Sequence, residues 1–131
     1  MGGQLVYESD RTFSIFGYAM SHGLLLLRSG KSNEHAHTRV DVLFQDVRAI
    51  EIRTWFKGIR IEEEESPEFL KDQRSNPAQM IEPGNKIYSI RSSGWEGFVV
   101  AGLVQFVEDS GELFGPSSLV SEPPVKRWTL G

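Results

Sequence analysis

Apolar and polar residues alternate with period two along much of this chain. In Arg39-Val40-Asp41-Val42-Leu43-Phe44, one side of an extended strand carries Val40, Val42 and Phe44, and the other carries Arg39 and Asp41. Gln45-Asp46 reads as a tight connection. A strand is then expected over Val47–Phe56, with Ile50, Ile52 and Phe56 turned inward between Glu51, Arg53 and Trp55. Gly58 interrupts or bulges that pattern before Ile59-Arg60-Ile61-Glu62 resumes it. Further strands are expected over Thr12–Met20, Gly23–Arg28, Lys86–Arg91 and Phe98–Glu108, separated by turn-forming residues such as Ser21-His22-Gly23 and Ser92-Ser93-Gly94. Six or seven strands at this spacing predict a mainly β protein, an antiparallel β-sandwich or open barrel.

One segment departs from the pattern. Ser66-Pro67-Glu68 supplies a capping hydroxyl, a proline at the first helical position and an acid in the first turn, and Asn76-Pro77 is a stop. One short helix is expected between them, followed by a polar, Pro- and Gly-rich loop, so that 66–85 forms a helix-plus-loop insertion. Residues 121–131, with Pro123-Pro124, are expected to run extended as a C-terminal tail that Trp128 tacks down. A length of 131 residues suits a single domain over 1–131, and 39% apolar residues suffice for a core.

Composition narrows the chemistry. The absence of cysteine excludes disulfides, thiolate metal sites and a cysteine nucleophile. A net charge of −4 argues against a nucleic-acid partner. No apolar run approaches a membrane span, so a soluble, cytoplasmic protein without a membrane partner is expected. Gly30-Lys31-Ser32 matches the end of a phosphate loop, but Leu25 stands where the first glycine belongs and a strand follows rather than a helix, so a polar turn is expected. Glu62-Glu63-Glu64-Glu65 reads as a solvated, fraying strand end, since acid catalysis needs an apolar pocket to raise one carboxyl pKa. Ser21-His22 is a turn, without the elbow or triad context of a serine nucleophile.

Two surfaces carry candidate functions. His35 and His37, two apart on an extended segment, project to one side, and Asp41 shares their parity. Two imidazoles and a carboxylate would suit zinc or non-haem iron, which makes a metal-binding protein or metal-dependent enzyme the alternative reading. The leading candidate is the outward face of Glu51, Arg53, Trp55 and Lys57, where an indole flanked by cations can anchor a protein partner. That reading gives a non-enzymatic binding protein, without a cofactor, that engages a protein partner or a second copy of itself. Trp95, in Gly94-Trp95-Glu96-Gly97, stands at a turn tip either as a second exposed contact residue or as an anchor packed over the edge of the core.

The order Ser21-His22-Gly23-Leu24-Leu25-Leu26-Leu27, then Arg39 to Phe44, then Val47-Arg48-Ala49-Ile50-Glu51-Ile52 resembles small β-rich bacterial proteins of unknown function, including immunity proteins encoded beside polymorphic toxins. The resemblance spans about a third of the chain, contains no catalytic motif and leaves the 66–85 segment unaccounted for. It implies a stoichiometric binder that blocks a partner without a cofactor.

Overall fold

The computed structural model describes residues 3–19, 23–32, 37–64 and 84–119. Eight strands form one antiparallel sheet: β1 (Gln4–Ala19), β2 (Leu24–Ser29), β3 (Arg39–Gln45), β4 (Ala49–Glu51), β5 (Trp55–Glu64), β6 (Lys86–Ser92), β7 (Trp95–Ala101) and β8 (Leu103–Asp109). Their order is β4-β7-β6-β5-β1-β2-β3-β8. The expected all-β antiparallel class is what the chain adopts. No helix occurs among the described residues; the helix expected at 66–74 and the tail at 121–131 lie outside them, as does the loop expected at 75–85 apart from Gly84 and Asn85.

The sheet is not closed by hydrogen bonds, yet it wraps. β3 pairs with β8, and β4 pairs with β7, so β3–β4 and β7–β8 form one two-stranded ribbon bent in the middle. The bend lies at Asp46, which takes φ 56°, and at Gly102, whose N–H donates to the Gln45 carbonyl at 2.9 Å. A short Asp side chain tolerates this left-handed conformation better than most residues. Because the two halves of the ribbon sit at opposite ends of the strand order, the sheet must curl to keep them continuous. Phe44 on β3 accordingly meets Tyr88 on β6, with ring centroids 5.7 Å apart, although these strands are not neighbours.

The concave face holds the core. Phe13, Leu25, Leu27, Val42, Phe44, Phe56, Ile61, Ile90 and Val99 are buried there. Period two predicted this face correctly for Val40, Val42 and Phe44. At Gly58 (φ 83°) the inward series passes from Phe56 to Ile59 with two residues between, the expected bulge, and β5 then continues unbroken to Glu64. Arg11 closes one end of the interior. Its guanidinium donates to Ser29 Oγ at 3.0 Å, to Thr38 Oγ1 at 2.8 Å and to the Thr38 carbonyl at 2.7 Å.

The tertiary structure corrects several expectations. Val47–Phe56 is not one strand: β4 ends at Glu51, β5 begins at Trp55, and Ile50 is exposed rather than inward. The strand over Phe98–Glu108 likewise begins earlier, at Trp95, and is cut at Gly102, while β1 starts eight residues before Thr12, at Gln4. Glu62 is buried within β5 instead of fraying, and its carboxylate accepts from Arg60 Nε at 2.6 Å and faces Arg91 Nη1 at 3.4 Å. A buried carboxylate is tolerable there because cations from β5 and β6 both reach it.

The second side of β3, the one that carries Arg39 and Asp41, is also covered. Arg39 and Asp41 are both buried, as is Arg28 opposite Asp41 on β2. Arg28 donates to the two Asp41 oxygens at 2.6 and 2.9 Å, and its face lies 4.3 Å from the Phe16 ring centroid. Residues 110–119 cross over this pair as a strap. The carbonyls of Leu113 and Gly115 accept from Arg28 at 2.6 and 2.9 Å. Those of Glu112 and Pro116 accept from Arg39 at 2.8 and 3.0 Å. Two guanidinium forks thus satisfy strap carbonyls and strand carboxylates together, the arrangement that makes buried arginine affordable.

Arg39 also grips Asp109, donating from Nε at 3.0 Å and Nη2 at 3.1 Å. Desolvation pushes the Asp109 carboxyl pKa up. The bonds from Arg39, Ser118 and the Gly111 N–H outweigh that and hold it at about 2, below the usual 3.8. Because the folded-state pKa is the depressed one, this carboxylate contributes its stabilisation above the unfolded value and loses it as pH falls through the folded one. An acid titration monitored by circular dichroism should therefore show stability declining between about pH 4 and pH 2. In Asp109→Asn that part of the decline should be smaller; an unchanged acid profile would mean the strap does not depend on this pair.

Candidate partner-binding surface

Trp55 opens β5 opposite Ser14 of β1, and Ser14 is opposite Arg28 of β2. The indole is 65% exposed. Its neighbour in sequence, Phe56, is buried in the core, so period two along β5 places Trp55 and Lys57 together on the convex side. Arg53 lies in the connection between β4 and β5 and sets its guanidinium 5.8 Å from the Trp95 ring centroid. Trp95 is half-buried, edge-on to Phe56 at 5.1 Å, and of its two sequence readings the structure shows the anchor at the end of the core. Glu51 is exposed on β4 opposite Phe98 of β7.

All four residues of the expected face are exposed, but they do not form a single strand face. Trp55 and Lys57 belong to one strand, Arg53 to a connection and Glu51 to another strand. The break after Glu51 ends the periodicity that linked them.

What the structure brings to Trp55 is a groove of about 410 Å³. Its lining includes Thr12 and Ser14 from β1, Arg28 from β2, Lys31 and Ser32 from the backbone that follows, Trp55, and Leu113 from the strap. Lys31 Nζ is 2.9 Å from a Glu112 oxygen at the rim. Phe114, beside Leu113, is 77% exposed and packs one face on Phe16 at 5.9 Å. Gly30-Lys31-Ser32 follows β2 as irregular backbone and contributes a wall to this groove, while the residues after Ser32 lie outside the described ones up to His37. Leu113 and Phe114 escaped sequence reasoning because they stand in a short irregular segment, where no periodicity indicates which way a side chain points.

Charge is compensated unevenly over the protein. Among the described residues, Arg53 and Lys57 are the Lys and Arg side chains without a carboxylate partner; the others pair with Glu or Asp. A second, shallower depression of about 320 Å³ lies on the other side of Lys57, where Arg60 and Arg91 are already engaged by Glu8, Glu62 and Glu96.

The alternative metal site loses its carboxylate. Both Asp41 oxygens accept from Arg28 inside the protein, so Asp41 cannot join His37, which is exposed; His35 lies outside the described residues. Among the described residues no group of three His, Asp or Glu side chains converges on a point. No helix among them is long and apolar enough to cross a membrane. No protein-family model, curated protein or solved structure matches the chain.

Proposed function

We propose that this chain is a non-enzymatic binding protein that captures a protein partner stoichiometrically through the surface around Trp55, as the likeness to immunity proteins implies. The observation that carries the reading is an indole left 65% exposed, with Lys57, a cation without a carboxylate partner among the described residues, on the same side of β5. Large aromatic side chains are usually withdrawn from water, and an exposed aromatic bordered by apolar and cationic groups is the composition of an interface hot spot. The reading needs no cofactor and no catalytic step.

Co-expression with the product of the adjacent reading frame, followed by gel filtration and calorimetry, tests it. A one-to-one complex is expected. Arg53→Ala/Trp55→Ala should weaken it about thirtyfold or more, the effect of losing a hot-spot tryptophan. Both side chains are exposed, so the melting temperature should move by only about 2 °C. Unchanged affinity in the double variant would eliminate this surface. Light scattering that shows a dimer of the chain dissociated by the same variant would assign the surface to self-association instead.

A further inference from the structure

Building on that reading of the surface, we propose that the partner offers an acidic segment whose large apolar side chain enters the groove between Trp55 and Leu113. The apolar half of the inference comes from the walls. Trp55 and Leu113 face the same groove, and Phe114, next to Leu113 in the strap, is exposed as well. Exposed apolar clusters of this kind mark contact sites more often than isolated apolar residues do. Leu113 is held in place from beneath, since its own carbonyl and that of Gly115 are bonded to buried Arg28. A wall fixed before binding lowers the ordering cost of association. The volume of about 410 Å³ is at the small end for ligand sites and suits one large side chain with its flanking backbone. Thr12 and Ser14 make no side-chain hydrogen bond among the described residues, which leaves their hydroxyls for that backbone.

The acidic half comes from charge complementarity. The chain carries −4 overall, but most described cations are neutralised by adjacent carboxylates. Lys57, opposite the groove-lining Thr12, is not, and Lys31 on the groove wall is paired only at the surface, with Glu112, whose side chain is 80% exposed. A surface pair of this kind is worth little and exchanges readily for an incoming carboxylate. A short acidic segment fits this local patch better than a nucleic acid. Phosphates continuing past it would meet Glu112 and the net negative charge of the protein, and among the described residues no row of unpaired cations extends to receive them.

The experiment pans the full chain against a random dodecapeptide library, then measures individual peptides by fluorescence anisotropy at low and high salt. Selected peptides are expected to place an aromatic or large aliphatic residue between Asp or Glu residues. Trp55→Ala should weaken them at least tenfold. Lys31→Gln/Lys57→Gln should weaken them roughly tenfold and flatten their salt dependence. Trp55-dependent peptides that are neutral or basic, or a single-stranded decanucleotide that displaces them, would overturn the acidic partner while leaving the surface in place. Peptides that bind Trp55→Ala as well as the parent, or a failure to enrich any sequence, would overturn both the groove and the surface.

Discussion

Asp41→Ala should lower the unfolding free energy by about 3–5 kcal/mol, the usual consequence of removing one member of a buried ion pair. For a chain of this size that corresponds to a fall in melting temperature of roughly 10–20 °C. Asp41 is fully buried, and its two oxygens take the Nε and Nη2 protons of Arg28. Without it, the Arg28 charge remains inside with only the Leu113 and Gly115 carbonyls and the Phe16 ring for company. The cost is set by the stranded cation rather than by the lost bond, because a buried charge without a counter-ion keeps its whole desolvation penalty. Arg28→Met/Asp41→Leu should consequently be more stable than Asp41→Ala, since no charge is stranded, though its strap loses two anchoring bonds. Urea denaturation of the two variants decides the matter. A loss under about 1 kcal/mol in Asp41→Ala, or a double variant less stable than the single one, would show that the pair is not held as described.

Phe44→Ala is expected to cost a similar amount, about 3–5 kcal/mol, for a different reason. Phe44 is fully buried on the concave face and its ring touches Tyr88 across the fold of the sheet. Truncation forfeits the transfer free energy of the ring and leaves a cavity between β3 and β6. A sheet hydrogen-bonded along its length cannot readily collapse to fill such a space. Phe114→Ala removes the same atoms from a side chain that is 77% exposed, and should change stability by no more than about 0.5 kcal/mol. Paired thermal melts compare them directly. Equal effects would mean that the sheet does not fold over on Phe44 and Tyr88. Since domains of this size hold only about 5–15 kcal/mol in total, either Asp41→Ala or Phe44→Ala would consume a large fraction of the stability.

These two residues also divide what could be read from the chain alone. Val40, Val42 and Phe44 announce a buried strand face because side chains of an extended chain alternate sides, a local rule that needs no partner. The same rule could not say that the side of Arg39 and Asp41 is buried as well. It failed there because it describes which residues share a side, not whether that side meets water. The strap of residues 110–119, some seventy positions away, covers it. The candidate surface shows the same division. The alternation around Phe56 was enough to turn Trp55 and Lys57 outward, whereas the groove beside them depends on Lys31 and Leu113, drawn from distant segments.

Local stereochemistry, acting through side-chain alternation and turn-forming residues, determined that this protein is an antiparallel β structure and which side of β3 builds its core. Only the tertiary structure decided that one bent ribbon joins the ends of the sheet, that two arginines are buried under a strap, and that Trp55 borders a cleft. Those outcomes depend on contacts between segments far apart in the chain, and closing such loops is governed by packing and charge satisfaction that no local window contains.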